Sequence, residues 1–190
     1  MNHSFDQNTL EVYDHQLVKL TKPLYQARIE FIAAYLPFFI ARYKFISAAG
    51  EEIDLVYSTD LSNQSMEDLL RRNLAKDKLL QYTSGGIHKD DLDFLLGGRP
   101  IKKLGSQGQQ KTFLIALKLA QFDYLKAKKG QSPFILFDDA FDKLDESRVT
   151  KIIELTNTEE FGQIFISDTH EERTVSALKK AQANFEIFKL

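Results

Sequence analysis

Residues 134–139 read Phe-Ile-Leu-Phe-Asp-Asp, an unbroken apolar run that ends in two carboxylates. The run follows Pro133 and has the length and composition of a central strand that is buried on both faces. Ligands of open α/β sheets bind beyond the carboxyl ends of the strands, where Asp138 and Asp139 are placed. We therefore expect an α/β fold with a binding site at the end of this strand.

The two carboxylates have two possible functions. Magnesium prefers hard oxygen ligands and keeps several waters, so Asp138 can hold the ion against the phosphates of a nucleotide. Asp139 can then orient or deprotonate the attacking water. Alternatively, the aspartates form an acidic turn that caps a helix. Two neighbouring features favour the site: Leu144-Asp145 shortly after it, and residues 106–110 before it.

Residues 106–110 read SQGQQ and open a predicted helix. Ser106 and Gln109 have the spacing of a capping box, which is a purely structural device. The same geometry suits a phosphate, because Gly108 lets an anion approach free amides at the positive end of the helix. Spacing alone leaves both functions open. Lys111 follows Gly108 by three residues, whereas the phosphate loop G-x-x-x-x-G-K-S/T needs lysine directly after the second glycine.

The elements around these motifs alternate regularly. The downstream part is predicted as helix 107–128, strand 133–138, helix 146–157, strand 162–167 and helix 171–183. Such alternation predicts a parallel sheet covered by helices. The upstream part is predicted as strand 52–57, helix 65–82 and a hairpin that turns at Gly97-Gly98. The basic residues of helix 65–82 form either a solvated face or phosphate contacts; they are Arg71, Arg72, Lys76 and Lys78.

From Leu10 to Phe38, apolar or small residues recur in steps of three and four. This pattern predicts a helical seam. The seam packs either on the core of its own domain or against the second helix of an antiparallel coiled hairpin. Pro23 and Pro37 each remove a helical hydrogen bond, and we therefore expect several short helices here.

Composition narrows the class of protein. With 190 residues, 43% of them hydrophobic, and a net charge of -2, the chain is expected to be globular and not coated in positive charge. The absence of cysteine excludes disulfides and thiolate metal sites and fits a reducing compartment. The longest apolar stretch, residues 31–41, is shorter than the ~20 residues that span a bilayer. We expect no membrane contact and a cytoplasmic location.

Taken in order, the motifs resemble the RecF family, DNA-gap repair ATPases related to the SMC proteins. They are Gly86-x-His88-Lys89-Asp90-Asp91, the SQGQQ segment, Asp138-Asp139 and Leu144-Asp145. The resemblance covers residues 80–170 well, whereas residues 10–80 match only in general layout. It implies an α/β fold, the C-terminal lobe of an ABC-type ATPase head with a parallel sheet and flanking helices. It further implies that residues 1–82 are part of a helical arm domain and 83–190 the lobe itself.

The resemblance also implies site residues, with ATP and Mg²⁺ as cofactors. The implied nucleotide-binding residues are Ser106, Gln107, Gly108, Gln109, Asp145 and His170, and the implied catalytic residues are Asp138 and Asp139. Ser106 and Gly108 would contact the γ-phosphate of ATP held by the opposite protomer. Asp138 would be the Walker B magnesium residue, Asp139 the catalytic acid, and Asp145 part of the loop that crosses the dimer interface.

Some positions depart from the family pattern. Lys89 stands where arginine is usual, which weakens a planar bidentate contact. Asp142-Lys143 replaces Ser-Glu, and His170 lies about one residue beyond the expected place of the switch histidine. The Walker A lysine would come from an N-terminal half, so we expect no ATP hydrolysis by the chain alone. Half of a lobe should also leave apolar sheet surface uncovered.

As a whole, the resemblance implies an ATP-dependent, dimerising DNA clamp that acts at single-strand gaps in replication, repair, recombination and the SOS response. Its implied partners are double-stranded and gapped DNA, a second copy bound through ATP, and the RecO and RecR mediators. Two alternatives remain: another SMC-like or phage-type cassette ATPase, and a non-catalytic module in which the acidic turn and the capped helix are structural.

Overall fold

The computed structural model describes residues 6–47, 50–158 and 161–189. The upstream elements are α1 (Gln7–Ser47), β1 (Ile53–Ser58), α2 (Met66–Leu80), β2 (Asp91–Leu96), β3 (Arg99–Pro100) and α3 (Ile101–Leu104). The downstream elements are α4 (Gln107–Lys129), β4 (Ile135–Asp138), α5 (Glu146–Thr156), β5 (Ile164–Ser167) and α6 (Glu171–Lys180). The predicted helices and strands downstream of residue 105 are confirmed, with bounds that differ by a few residues.

The chain divides into two compact units, and each is made of two separate segments. The first lies within residues 1–33 and 55–93, and the second within 34–54 and 94–190. The predicted division into domains 1–82 and 83–190 stays a prediction, because the compact units describe packing and not the ancestry of the domains.

The second unit contains the predicted α/β layer. Strands β4 and β5 pair in parallel, with Ile135 opposite Ile164 and Asp138 opposite Ser167. Helix α4 contributes a buried face made of Thr112, Phe113, Ile115, Ala116, Leu119, Ala120 and Phe122. Helix α5 adds Val149, Ile152 and Ile153. Each fully buried large apolar side chain contributes about 1.5–3 kcal/mol, so these two helices supply much of the free energy that holds the unit together.

Helix α1 is one unbroken helix of 41 residues, so the prediction of several short helices was wrong. Each proline removes a single backbone hydrogen bond. Around Pro37, buried side chains before and after the proline stabilise the helix across this interruption. Tyr35 and Phe39 are buried on the same side, and the rings of Phe39 and Phe113 lie 4.7 Å apart, edge to face. Packing against α4 therefore stabilises the helix where its backbone bonding is interrupted.

The buried side of α1 differs from the predicted seam. Its buried residues include Thr21, Tyr35, Phe39, Tyr43 and Ile46, whereas the seam residues Tyr13, Leu20, Leu24 and Phe31 are exposed. The buried residues Thr21, Tyr35 and Phe39 each lie one position after a residue of the predicted seam. The apolar spacing thus predicted a helix correctly and placed its buried face wrongly.

The first unit has a small core of its own. It consists of Leu61, Met66, Leu69, Leu70 and Ile87, with Leu17, Val18 and Tyr25 packed against it. Helix α2 begins where the sequence predicts, because the Ser65 hydroxyl accepts a hydrogen bond from the Asp68 N–H (3.1 Å). This helix is therefore held by a cap at one end and by the apolar cluster along one face.

The predicted hairpin is confirmed. Strands β2 and β3 pair antiparallel, with Leu96 opposite Arg99. Gly97 and Gly98 both have positive φ, 56° and 71°, as a type I′ turn requires. The strand order of this sheet is β1-β2-β3.

Strand β4 is buried on one face only, which corrects the expectation of burial on both. Phe137 is 6% exposed, whereas Phe134 and Leu136 are 73% and 76% exposed. Phe165 on β5 is also exposed. In the described residues, the layer of helices packs on one side of these two strands, and the other side presents apolar residues to solvent. The expected uncovered apolar sheet surface is present.

None of the helices in the described ranges combines the length and the apolar character needed to cross a lipid bilayer.

Candidate functional site

The acidic turn, Asp138 with Asp139, ends strand β4. The Ser167 hydroxyl donates to the Asp138 carboxylate, and the Asp139 N–H donates to the Ser167 carbonyl (3.1 Å). Asp139 has a left-handed backbone, with φ of 45°. Strand β5 thereby fixes the turn while both aspartates remain exposed.

The SQGQQ segment forms the predicted capping box at the start of α4. The Ser106 hydroxyl accepts from the Gln109 N–H (3.2 Å), and the Gln109 side-chain oxygen accepts from the Ser106 N–H (2.8 Å). The N-terminal amides of a helix have no partner within it. Among the described residues, the amides of Gln107 and Gly108 have no recorded acceptor. The cap therefore leaves two donors at the positive end of the helix.

The structure brings the SQGQQ segment and the acidic turn together within the second unit. The Lys111 ammonium donates to the Asp139 carbonyl (3.0 Å). A Cβ on Gly108 would lie 2.8 Å from Arg148 Nη1 and 3.4 Å from the Lys143 carbonyl. Gly108 therefore packs closely against the segment that follows the turn, and a side chain at 108 would displace the end of the Arg148 side chain. Lys111, which does not fit a phosphate loop, instead joins the two motifs.

Asp145 begins α5. Its carboxylate accepts from the Arg148 N–H (2.9 Å) and forms an ion pair with the Arg148 guanidinium (3.4 Å). Lys143, in the loop before it, has a left-handed backbone with φ of 61°. The observed role of Asp145 is a helix cap, and its predicted place at a dimer interface stays a prediction.

His170 is exposed at the start of α6, and no hydrogen bond or ion pair of its ring is recorded among the described residues. Its backbone N–H donates to Asp168 (2.9 Å). Asp168 also accepts from the Thr174 hydroxyl (2.6 Å) and pairs with Arg173 (3.1 Å). Burial raises the pKa of Asp168, but the hydrogen bonds from Thr174 and His170 and the charge of Arg173 outweigh it, so the pKa is lowered overall.

Sequence reasoning missed Asp168, although an aspartate shortly before a helix is a common cap signal. Among the described residues, no hydrogen bond or ion pair joins this carboxylate to the acidic turn. Asp168 thus orders the start of α6, and His170 is placed on that start.

The donor set fits a magnesium ion bound together with phosphate, and not a metal centre built from protein alone. In the parts of the chain that are described, no three His, Asp or Glu side chains are grouped to hold a metal. Magnesium commonly takes one or two carboxylates and completes its shell with waters and phosphate oxygens. Asp138, exposed at the strand end, is suited to such a site.

The Gly86–Asp91 segment lies in the first unit and is organised around Asp90. Its side chain is 1% exposed and pairs with Arg28 (3.1 Å), while the Tyr57 hydroxyl also donates to it. Arg28 donates in addition to the Ile87 carbonyl (2.7 Å). Lys89 lies over the ring of Tyr82, 5.3 Å from its centroid. The segment is therefore anchored from within and presents Lys89 outward.

The basic residues of α2 differ in their surroundings. Arg71 forms ion pairs with Glu67 (3.2 Å) and Asp68 (3.7 Å). Arg72 and Lys76 are exposed. Arg71 is partly neutralised, so Arg72 and Lys76 are the better candidates for contacts with an external anion.

No protein-family model matches the chain. The chain is 50% identical over 190 residues to the DNA replication and repair protein RecF of Flavobacterium johnsoniae, a match that covers 100% of the chain and 53% of that relative. It is 41% identical over 179 residues to the protein of the same name from Bacteroides fragilis, covering 94% of the chain and 48% of the relative. The chain therefore spans about half the length of the curated relatives it matches.

Solved structures agree on the fold. A structure of the recombination mediator protein RecF-ATP in the RecFOR pathway matches with a TM-score of 0.74 at 20% identity, over 90% of the chain and 48% of that structure. A structure concerning ATP-driven dimerization and DNA-stimulated activation of SMC ATPases matches with a TM-score of 0.51 at 17% identity, over 80% of the chain and 76% of that structure. Identities this low establish the fold alone.

Proposed function

The chain is RecF-like and corresponds to the C-terminal half of RecF-type DNA replication and repair proteins, and from this premise we propose that it supplies the signature-bearing half of an ATP-dependent DNA clamp. The observation that carries the proposal is the joining of the SQGQQ segment to the acidic turn through Lys111 and Asp139. In this proposal the SQGQQ segment is the signature motif. ATP held by one protomer is contacted by the signature motif of the other.

The roles of individual residues follow from what each can do chemically. Ser106 has a hydroxyl, and Gln107 and Gly108 have amides, that can donate to the γ-phosphate of the opposite nucleotide. Gln109 holds this turn in shape, and Asp145 and His170 approach the same interface. Asp139 orients the attacking water and accepts its proton. Asp138 would hold Mg²⁺, which when bound neutralises charge on the phosphates.

The 190 residues contain no G-x-x-x-x-G-K-S/T loop, so the proposal requires that the phosphate loop come from other sequence. The exposed apolar face of Phe134, Leu136 and Phe165 supports such an assembly, because large uncovered apolar patches commonly mark interaction surfaces. We assign this face to the half of the protein that carries the phosphate loop.

The proposed substrate is double-stranded or gapped DNA, with RecO and RecR as partners and the cytoplasm as location. The names of the relatives support a role in DNA replication and repair. Exposed Arg72 and Lys76 on α2, with Lys89 in the first unit, are candidates for contacts with the DNA phosphates. The similarity over the full chain to these relatives favours this function over the other SMC-like ATPases.

The test uses the chain joined to a RecF-type N-terminal half, with Ser106→Arg as the variant. A long cation at the start of α4 removes the capping hydroxyl and occupies the space that a phosphate would approach. We expect the ATP-induced dimer, measured by light scattering, to be lost. Gln131→Arg adds the same charge at an exposed position outside the site and should dimerise normally. A Ser106→Arg variant that still dimerises with ATP would remove the signature role.

A further inference from the structure

The side chain of Gln109 has two ends that cannot be exchanged. Its oxygen accepts from the Ser106 N–H (2.8 Å), which completes the capping box. Its nitrogen donates to Glu51 Oε1 (2.7 Å). A flipped amide would present its NH₂ group to the Ser106 N–H, donor against donor. The cap therefore depends on which way the amide of Gln109 points.

Glu51 determines that direction. An ionised carboxylate only accepts hydrogen bonds, so the end of Gln109 that faces it must be the NH₂ group. The other oxygen of Glu51 accepts from the Tyr43 hydroxyl (2.8 Å). Tyr43 is fully buried in α1, and burial, together with the Glu51 carboxylate, raises its pKa, which keeps the hydroxyl protonated as a donor. Glu51 is thus held at one oxygen and orients Gln109 with the other.

Glu51 is far from Gln109 in sequence, yet Tyr43, Glu51 and Gln109 belong to the same compact unit. Two hydrogen bonds through Glu51 thus connect the buried Tyr43 to the first turn of α4. The Gln109 side chain accepts from the Ser106 N–H, and the Ser106 side chain accepts from the Gln109 N–H. The N–H groups of Gln107 and Gly108 are therefore the donors left for a ligand. A misdirected Gln109 would release Ser106 and disorder the turn that presents them.

We propose that Glu51 is a positioning residue for the signature motif: it fixes the amide of Gln109, and through it the turn that receives the phosphate of the opposite protomer. The role in phosphate contact rests on the proposed function. The positioning itself is a property of the chain alone. The two can therefore be tested separately.

The first experiment measures hydrogen exchange at the Ser106 amide in the chain without nucleotide, by NMR. Glu51→Ala should increase the exchange rate of this amide about tenfold, because the acceptor that protects it is no longer oriented. Glu51→Gln retains an acceptor of the same size and should restore most of the protection. Glu52→Ala, at the exposed neighbouring position, should change nothing. Equal exchange in the Glu51→Ala variant and the unmodified chain would overturn the proposal.

The second experiment uses the chain joined to a RecF-type N-terminal half. Glu51→Ala should weaken ATP-induced dimerisation about tenfold, the equivalent of one hydrogen bond. ATP binding by the monomer should be unaffected. Tyr43→Phe should have a smaller effect, since Glu51 keeps its contact with Gln109. The thermal unfolding of each variant provides the check on folding.

The outcomes distinguish the two hypotheses. If Glu51→Ala removes the protection of the Ser106 amide but the unmodified joined protein never dimerises with ATP, the proposed function fails and the positioning by Glu51 stands. If the unmodified protein dimerises and the Glu51→Ala variant dimerises equally well, the positioning has no bearing on the signature motif and the inference is overturned.

Discussion

The chain contains two pairs of adjacent aspartates, Asp90-Asp91 and Asp138-Asp139, whose first members have opposite surroundings. In the first unit, the carboxylate of Asp90 is 1% exposed and is bound by Arg28 and Tyr57. In the second unit, Asp138 and Asp139 end a strand and are exposed. Asp90 thus anchors the fold from within, whereas both aspartates of the second pair remain accessible to a ligand.

The difference teaches that partners, and not residue type, decide what a carboxylate does. A buried charge remains only where a cation and donors compensate its lost hydration, so Asp90 stabilises the fold. A carboxylate at an exposed strand end, such as Asp138 with its single bond from Ser167, keeps most of its lone pairs for water, metal or substrate. Removing Asp90 should therefore affect stability, and removing Asp139 should affect activity.

The largest expected effect is on catalysis. In the chain joined to a RecF-type N-terminal half, Asp139→Asn should slow magnesium-dependent ATP hydrolysis by roughly 100- to 10,000-fold, the usual contribution of a general base. The free energy of unfolding should change by less than about 0.5 kcal/mol, because the side chain is exposed. Phosphate release provides the measurement. Asp142→Asn, in the same loop, is the control and should stay near normal; hydrolysis that survives Asp139→Asn would contradict the assigned role.

Asp90→Ala should give the next largest effect, and on stability. It leaves Arg28 and Tyr57 without their shared acceptor, and breaking a buried pair costs about 3 kcal/mol. Arg28 is partly exposed and can regain water, which keeps the loss at the lower end of the usual range. Denaturant unfolding followed by circular dichroism measures it. Asp91→Ala, at the exposed neighbour, should cost below about 0.5 kcal/mol, and equal losses would refute the distinction between the two residues.

Asp168 sharpens the comparison, because its side chain is only 3% exposed yet lies in the same unit as the acidic turn. Its pKa is lowered in the folded chain, so its contribution to stability is present at pH values above the unfolded pKa of ~4. That contribution is lost as the pH falls through the lower, folded value. Asp168→Asn should lower stability at neutral pH by about 1.5 kcal/mol and flatten the loss of stability below pH ~4.

Unfolding curves at a series of pH values give this result directly. Asp93→Asn, a change of the same kind at an exposed carboxylate, is the control and should leave the acid limb unaltered. If the Asp168→Asn variant had the same acid limb as the unmodified protein, the ionised form of Asp168 would have no stabilising effect.

The smallest effect concerns the open face of the strand that carries Asp138. Leu136→Gln should change stability by less than about 0.5 kcal/mol, since the side chain is already in water, and should reduce the binding of a hydrophobic dye. Leu79→Gln removes a leucine of α2 that is even more exposed than Leu136, yet it should reduce dye binding less. Equal reductions would indicate scattered apolar residues and not one continuous face.

The sequence predicted helices α4 and α5 because both have local boundary signals. Ser106 and Asp145 cap the helices that they precede, and Gly130 ends α4 in a left-handed conformation with φ of 68°. An unbroken apolar run predicted strand β4, and the regular alternation of helices and strands predicted the α/β layer as a whole. The unbroken length of α1 was missed. The effect of a proline can be read from the neighbouring sequence, whereas the packing of Phe39 against Phe113 depends on a residue far along the chain.

Within the candidate site, the sequence indicated the acidic turn and the SQGQQ segment but not what holds them. Gln109 meets Glu51 and Lys111 meets Asp139 only after folding. Asp90 likewise meets Arg28 from a distant helix. Such contacts leave no periodic signal in a single sequence, because neither partner needs a particular neighbour along the chain. The contact between the SQGQQ segment and the acidic turn could therefore be found only from the structure.

The left-handed backbone at Asp139 also governs which substitutions position 139 tolerates. Most L-residues lose roughly 1–2 kcal/mol in that conformation, whereas glycine loses nothing and asparagine and aspartate little. In a saturation-mutagenesis screen scored for folding, glycine and asparagine should rank highest at 139 and β-branched residues lowest. In a screen scored for activity, only aspartate should persist. Position 139 would then separate selection for folding from selection for chemistry at a single codon.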